Sequence, residues 1–263
     1  MTTKELDFNN QDLTYIPQNI QLKIDLEILS VYNNQLTDLP EWIWDLKNLK
    51  SLNLGNNLLK FISEKIENLG LLHTLDLGHN QLTTLPMSLG NLNNLTGFLY
   101  LSNNQISELP TSIGKLKKLR YLNISSNQLK LLPEEIGGLE GLIELRLYEN
   151  QLSSLPDSIG KLSVLKELHL KNNSISFLPG SISKLKNLKV LDLRNNELTS
   201  VPESFSNLKQ LKVLDLRANK FDSIPDEIRK LKSLEKLDLR WNKLSSVPGW
   251  INELEDRGCI VYY

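Results

Sequence analysis

The octapeptide LDLRNNEL at residues 191–198 returns as LDLRANKF at 214–221 and as LDLRWNKL at 237–244. The copies start 23 residues apart, which is far longer than the period of a helix or a strand. A fixed period of roughly 20 to 50 residues indicates similar units that stack on one another around a continuous core. This stretch therefore decides the fold, because its neighbours repeat whatever structure it adopts.

The same pattern runs along nearly the whole chain. The first leucine of each LxLxxN motif, or its equivalent, stands at residues 6, 29, 52, 75, 99, 122, 145, 168, 191, 214 and 237. Nine of the ten intervals are 23 residues, and the one that contains NNLTGFLYL is 24, so we expect an extra residue to bulge near Gly97. We also expect a terminal capping strand at 259–263, with Ile260 in the place of the first leucine. The prediction is one domain, residues 1–263, of eleven repeats.

Each conserved letter of the unit LxLxxNxLxxLPxxIxxLxxL has a physical reason. The two leucines of LxL alternate, so they point to one side of a short strand. The asparagine lies where the chain turns, and a buried amide there can bond to unpaired backbone groups of the next unit. All ten prolines occupy one position, which only the third unit fills with Ser63, and proline predicts an extended turn outside the sheet. The spacing of PxxIxxL predicts a short helical or 3₁₀ turn on the outer side.

No single unit can bury its leucines alone, so the units must stack into a curved solenoid. The repeats resemble the leucine-rich-repeat superfamily, specifically the LPxxIxxL type found in bacterial proteins and in Ras-group proteins of plants and animals. The resemblance covers Leu6 to Tyr263 and implies an α/β horseshoe with a parallel sheet on the concave face. The convex face is expected to carry short helical, 3₁₀ and extended turns. The first unit departs from the pattern with Phe8 and Gln11, as an end unit does.

Composition narrows the function classes. With 30 Lys and Arg against 31 Asp and Glu, the formal charge is −1, so nucleic acid or an anionic membrane would require a local basic patch. No apolar run is long enough for a membrane span, and the N-terminus has no apolar signal region. Cys259 is the single cysteine, which excludes an intramolecular disulfide. We expect a cytoplasmic protein, with export by a route without such a signal as the alternative.

Enzymatic and metal-binding motifs are not expected. The glycine-rich GGLEG at 137–141 lacks the Lys-Ser/Thr of a P-loop and the strand context of a dinucleotide site. The histidines at positions 73, 79 and 169, with one cysteine and no HExxH, make a poor metal set. No Ser-His-Asp or Cys-His arrangement is indicated. The sequence therefore predicts no enzyme, no cofactor and no metal.

Binding residues are expected at the variable positions of the inner sheet, which lie one before, one after, three after and four after the first leucine. We number these positions −1, +1, +3 and +4. The first five units carry no Lys or Arg at +1 or +3, whereas units seven to eleven carry one each. Aromatic and arginine side chains dominate protein interfaces. The predicted protein-binding residues are Tyr100, Tyr121, Arg146, Tyr148, His169, Lys171, Arg194, Arg217, Arg240 and Trp241.

The Asp-Arg pairs of the last three units have two interpretations. Asp192 and Arg194, and their equivalents in the next two units, stand two residues apart on one strand face, so they can form an ion-pair ladder that keeps the sheet soluble. Alternatively, the arginines swing from the aspartates to an acidic partner. Nucleic acid is disfavoured, because each arginine has an aspartate beside it.

A second candidate surface lies on the outer side. In LPEWIWDL, Ile43 takes the core position, so Trp42 and Trp44 should flank it, with Trp250 as their counterpart in the last unit. Packing onto a neighbouring unit is the favoured interpretation, and an exposed dimer or docking contact is the alternative.

The sequence predicts a non-enzymatic, monomeric module that binds a protein or peptide on its concave sheet. Only the resemblance to Ras-group proteins suggests small GTPases and kinases as partner classes. The alternatives are a bacterial host-directed effector or surface factor, and the recognition domain of a larger enzyme or GTPase.

Overall fold

A computed structural model describes residues 4–263 of the chain. Its twelve strands form one parallel sheet in sequence order, with each strand hydrogen-bonded to the next along the chain. The strands are β1 Glu5–Asp7, β2 Ile28–Ser30, β3 Ser51–Asn53, β4 Thr74–Asp76, β5 Phe98–Tyr100, β6 Tyr121–Asn123, β7 Glu144–Arg146, β8 Glu167–His169, β9 Val190–Asp192, β10 Val213–Asp215, β11 Lys236–Asp238 and β12 Ile260–Tyr262. The predicted solenoid with its parallel sheet is confirmed, and each repeat is called a coil below, numbered 1 to 11.

The first leucine of every coil is the middle residue of its strand and lies beside the same leucine of the next coil, as Leu191 does beside Leu214. The longer interval disturbs this register at one place. There the β4–β5 pairing begins only at Leu75 and Leu99, while the Gly97 amide bonds to the His73 carbonyl. The predicted irregularity near Gly97 is therefore present.

The prediction for the last strand was wrong by one residue. Val261, not Ile260, lies beside Leu237, and Ile260 is 55% exposed. The preceding turn explains the shift, because coil 11 has a true α-helix, Ile251–Glu255, instead of a 3₁₀ turn. A further turn then ends at Gly258, whose φ of 85° lies in the left-handed region, and the longer connection delays the strand.

Within residues 4–263, the convex side carries ten 3₁₀ turns, as the PxxIxxL spacing predicts, in addition to the α-helix of coil 11. They are Gln18–Leu22, Glu41–Asp45, Glu64–Asn68, Met87–Asn91, Thr111–Lys115, Glu134–Gly138, Asp157–Lys161, Gly180–Lys184, Glu203–Asn207 and Ile228–Lys230. In coils 2 to 9 the residue before the turn is extended, for example Pro110 at φ −64° and ψ 141°, whereas Glu227 in coil 10 is helical. Ser63 adopts the same conformation in coil 3, and its side chain accepts a hydrogen bond from the Lys65 amide. A proline-like geometry is thus kept where proline is missing.

The buried asparagines form the expected ladder between coils. Asn127 donates from Nδ2 to the carbonyls of Leu101, Ile124 and Ser125, and its Oδ1 accepts the amide of Ile106 at 2.9 Å. The same pattern recurs from Asn34 to Asn242. Each amide therefore joins two coils through backbone groups that would otherwise be buried and unpaired.

Close packing of the convex turns depends on small residues. A Cβ atom at Gly114 would lie 2.2 Å from the Glu135 carbonyl oxygen of the next coil, and one at Gly90 would lie 2.1 Å from that of Ser112. No real Cβ makes such contacts, so glycine is required for this approach. Between the turns and the sheet, the leucine and isoleucine side chains form one continuous buried cluster.

Within residues 4–263, no helix has the length and hydrophobicity needed to span a bilayer.

Candidate protein-binding face

The concave face consists of the side chains at positions −1, +1, +3 and +4 of each coil. All ten predicted binding residues lie on it, since register places equivalent positions side by side: Asn123 lies beside Arg146, and Arg146 beside His169. Tyr100 and Tyr121 are 38% and 40% exposed, and Trp241 is 70% exposed. The ten residues therefore share one face, as the repeat predicts, but the structure shows that its four positions are not equally free to vary.

Position +1 has a structural role that the sequence analysis missed. In seven coils its side-chain oxygen accepts a hydrogen bond from the backbone amide of position +3, which closes a tight turn after the strand. The acceptors are Asp7, Asn53, Asp76, Asn123, Asp192, Asp215 and Asp238. The recurring Asp in LDLR is thus a backbone-turning residue. The predominance of Asp and Asn at this position was the available sequence signal.

Four coils lack an Asp or Asn at position +1. One is coil 2, where Ser30 donates from its hydroxyl to Asn9 of coil 1. The other three carry Tyr100, Arg146 and His169, in coils 5, 7 and 8. These large side chains do not make the hydrogen bond to the backbone amide of position +3. Three coils in the middle of the concave face therefore lack this local stabilising contact.

Around these residues lies a cluster of aromatic and charged groups. The ring of Tyr100 stacks on Phe98 with centroids 4.4 Å apart. A small cleft is lined by Tyr100, Tyr121, Leu122, Asn123, Glu144 and Arg146. In the next coils, Lys171 lies over the ring of Tyr148, 5.3 Å from its centroid. The cleft offers aromatic walls and a guanidinium to a ligand.

Next to the cleft, two glutamates face each other across neighbouring strands. Glu144 lies beside Glu167, and His169 Nε2 is 3.1 Å from Glu167 Oε2 and 3.9 Å from Glu144 Oε1. One ligand atom from each residue falls within 4.8 Å of the others, which is a set that a divalent cation such as Zn²⁺ can use. Arg146 Nε, however, donates to the same Glu144 oxygen. The cluster is therefore already held together by the Arg146–Glu144 ion pair and by the contact between His169 and Glu167.

The sequence alone did not indicate this cluster, because the histidines fit no cysteine or HExxH pattern. The signal was present in the repeat, since position −1 of coil 7, Glu144, and position +1 of coil 8, His169, are neighbours once the strands are in register.

The arginine column is mostly held by its own aspartates. Arg217 bonds through Nε and Nη2 to Asp215 and lies 3.4 Å from Asp238, while Arg240 bonds through the same atoms to Asp238. The Asp238 side chain is 1% exposed. Arg194 differs, because its guanidinium is 3.7 Å from Asp192. The geometry agrees with the ion-pair ladder for Arg217 and Arg240 and leaves Arg194 more loosely held.

The two ends of this column also differ electrostatically. Burial raises the pKa of Asp192 above its ordinary value, although the Arg194 amide bonds to its carboxylate. Burial also opposes ionisation of Asp238, but hydrogen bonds from Arg240 and the positive charge of Arg217 outweigh it and lower the pKa of that carboxyl. Asp238 is therefore the ionised anchor of two arginines, whereas the charge of Asp192 is poorly compensated.

Position +4 is left-handed in every coil, with φ between 52° and 64°. Asparagine tolerates this conformation and fills most coils, whereas tryptophan does not favour it. Trp241 nevertheless occupies it in coil 11, with Arg217 and Arg240 at 5.9 and 5.5 Å from its ring. The position is conformationally restricted, which corrects our expectation that it varies freely. Trp241 is an exposed aromatic held in a strained backbone.

The outer tryptophans do not form an exposed surface. Trp44 is 2% exposed, since it occupies the convex position that Gly90 and Gly114 hold in later coils, and so it fills the space between turns. Trp42 and Trp250 are partly buried against the core, and Trp250 Nε1 donates to Asp226 at 2.8 Å. The structure therefore favours packing, and Trp44 is not available as a docking residue.

Known protein families match this chain through its repeat. Residues 96–172 and 156–256 match a family model described as a leucine-rich repeat region, and residues 24–82 match one described as a leucine rich repeat. No curated protein matches the chain.

Solved structures extend this likeness. A leucine-rich-repeat protein of Leptospira interrogans is 38% identical, with a TM-score of 0.91 over 95% of this chain and 64% of that chain. A TDR receptor is 31% identical, with a TM-score of 0.85 over 96% of this chain and 45% of that chain. An internalin of Listeria monocytogenes, 22% identical with a TM-score of 0.70 over 93% of this chain and 79% of that one, shares the fold. This chain thus spans less than two thirds of the first and the second of these proteins.

Proposed function

Since the chain belongs to the leucine-rich-repeat family, we propose that it is a non-enzymatic module that binds a protein or peptide at the centre of its concave face. The binding centre consists of Tyr100, Tyr121, Arg146, Tyr148 and His169 in coils 5 to 8. A module of this kind suits the similarity to a receptor, although the ligand of that receptor says nothing about the partner here.

One observation carries the proposal. Position +1 closes the turn with Asp or Asn in seven coils, and its large replacements Tyr100, Arg146 and His169 all lie in coils 5 to 8. A residue that gives up a local bond and stays on the surface is better explained by an external contact than by folding. The concentration of such residues in the middle of the face supports a binding centre there.

The chemistry of the cleft describes the partner. Tyr100 and Tyr121 offer exposed ring surface to an apolar or aromatic side chain. Arg146 can exchange its Glu144 contact for a carboxylate of the partner, because its side chain is 47% exposed. The partner is therefore a segment with an apolar and an acidic group close together. Nothing in this chemistry selects a small GTPase or a kinase.

The arginine column has a secondary part in this proposal. Arg217 and Arg240 would have to leave Asp215 and Asp238 to reach a partner, whereas Arg194 has only a 3.7 Å contact to lose. Arg194, Lys171 and Trp241 extend the binding centre toward the last coil. A monomeric state and a cytoplasmic location stay predictions, as does a role as the recognition part of a larger protein.

Affinity capture from the native lysate tests the proposal. The bait Tyr100→Ala/Tyr121→Ala/Arg146→Ala removes two aromatic groups and one cation from the binding centre. The matched control Tyr15→Ala/Phe61→Ala/Lys130→Ala removes the same groups from exposed positions outside the concave face. We expect a protein that the wild type and the control capture and the first bait loses. Identical captures with all three folded baits would contradict the proposal.

A further inference from the structure

One side of the solenoid carries a concentration of positive charge. The basic flank is defined as the exposed side chains of residues 115–120, 138–143, 161–166, 184–189, 207–212 and 230–235, which join each convex turn to the next strand. These segments contain thirteen Lys or Arg and two Glu, whereas residues 22–27, 45–50, 68–73 and 91–97 of the earlier coils contain three of each sign. The chain as a whole has a formal charge of −1. The near-neutral total therefore hides a strongly polarised surface.

The lysines of the basic flank are stacked on one another. The amide of Lys189 bonds to the Lys166 carbonyl at 2.8 Å, and that of Lys212 bonds to the Lys189 carbonyl at 2.9 Å. Equivalent residues of adjacent parallel strands are about 4.8 Å apart, so three like charges stand in one row. Such a row is unfavourable by itself. An external anion would relieve it.

The chain supplies little negative charge of its own here. Lys117 pairs with Glu140 at 2.9 Å, and Lys212 pairs with Glu235 at 2.6 Å. Within residues 4–263, the other eleven cations of the basic flank make no ion pair. Ten of these eleven are also exposed, the exception being Lys189, which is half-buried. The charge is thus available to a partner.

The shape of the basic flank suits a lipid surface. It extends over six coils, and all of its segments except residues 138–143 contribute two to four cations each, so the charge is spread over a broad face. It contains no aromatic residue, whereas sites for single-stranded nucleic acid combine a basic groove with aromatic stacking platforms. A shallow depression lined by Lys118, Arg120, Gly141, Ile143, Val164 and Lys166 brings three cations around an apolar floor. Cations of this kind are suitable hydrogen-bond donors for one phosphate headgroup.

We propose that the basic flank docks the protein on an anionic lipid bilayer, with the depression beside Lys118, Arg120 and Lys166 receiving a lipid phosphate. Attraction of this kind grows with each lysine near an anionic surface and weakens with added salt. The flank residues precede the strands, so a docked protein keeps its concave face open. The bilayer and the protein partner would therefore use different surfaces.

Vesicle co-sedimentation tests this proposal with the full chain. The vesicles contain phosphatidylcholine with or without phosphatidylglycerol. The variant Lys166→Glu/Lys189→Glu reverses two charges in the stacked row, and Lys130→Glu/Lys243→Glu makes the same charge change at exposed positions outside the basic flank. We expect the wild type and the second variant to bind only the anionic vesicles at low salt. The first variant should bind at least about tenfold more weakly.

Thermal melts, a variant of the binding centre and a DNA-binding assay serve as controls for the vesicle experiment. Thermal melts must show that each variant folds, and Tyr100→Ala/Tyr121→Ala should bind vesicles like the wild type, so that failure of the partner-binding proposal is distinguishable. A wild type that ignores anionic vesicles, or equal loss in both charge variants, would overturn the proposal. Binding to a short DNA duplex without binding to vesicles would overturn it in favour of nucleic acid.

Discussion

The Asp192 carboxylate accepts the backbone amide of Arg194 at 3.1 Å, while the Arg194 guanidinium remains 3.7 Å away. The aspartate therefore makes a closer contact with the backbone of the turn than with the arginine side chain. The same backbone bond is made by Asn53 and Asn123, which carry no charge. The turn needs an oxygen at this position, whether or not the side chain is charged, and the pairing of that aspartate with an arginine is a separate property of the last three coils.

Asp192→Asn should raise thermal stability at neutral pH. Burial raises the folded pKa of Asp192, so the folded state binds this proton more tightly than the unfolded state does. The resulting stability is present below the unfolded pKa and is lost as the pH rises through the folded pKa. Asparagine keeps the acceptor and removes the poorly compensated charge. Melting curves should show a higher Tm at neutral pH and a difference that shrinks in acid, and a lower neutral Tm would refute the explanation.

Asp238→Asn is the matched comparison and should act in the opposite direction. The pKa of Asp238 is lowered, so its contribution is present above the unfolded pKa and is lost as the pH falls through the folded pKa. The substitution leaves Arg217 and Arg240 without their shared anion. We expect a loss of about 2 kcal/mol in the free energy of unfolding at neutral pH. Urea denaturation of both variants checks the two signs together.

Asn127→Ala should destabilise the solenoid by about 3 kcal/mol. It removes the acceptor for the buried Ile106 amide and the donors for three carbonyls, and alanine supplies no group to replace them. Gln128→Ala, one residue away and exposed, is the control and should stay within about 0.5 kcal/mol of the wild type. Equal effects of the two substitutions in urea denaturation would show that the ladder contributes nothing special.

Gly114→Ala should cost about 2 kcal/mol, because its new methyl group would meet the Glu135 carbonyl oxygen at 2.2 Å and push two convex turns apart. Gly249→Ala is the control, since nothing lies within 4 Å of a Cβ atom there. We expect its Tm to equal or slightly exceed that of the wild type. If Gly114→Ala melts like the wild type, close approach of the turns is not required for stability.

Most of the fold could be predicted from the repeat. A residue type that recurs every 23 positions occupies the same structural environment in each of the eleven coils, so one pattern is observed eleven times. The leucines of LxL predicted the strands, and proline predicted the turn. The error at Ile260 arose where the repetition ends, since the α-helix at Ile251–Glu255 has no earlier copy. The close approach at Gly114 was also missed, because it depends on the neighbouring coil and not on the local pattern.

The site was less predictable than the fold, because variation has two different causes. Position +4 looked variable, yet its left-handed backbone restricts it, and Trp241 departs from that rule. Position +1 looked variable, yet most of its residues close a turn. Departures such as Arg146 become informative only when the structural rule is known. The contact between Glu144 and His169 likewise required the register of two strands.

Photo-crosslinking at the binding centre tests the central claim most directly. A benzophenone amino acid replaces Tyr121, and in a second protein it replaces Phe61, which is 62% exposed and lies outside the concave face. Both proteins are irradiated in native lysate, and adducts are identified by mass spectrometry. The proposal predicts an adduct with one protein from position 121 that is absent from position 61. The same adducts from both positions, or adducts from position 61 alone, would contradict binding at the centre of the concave face.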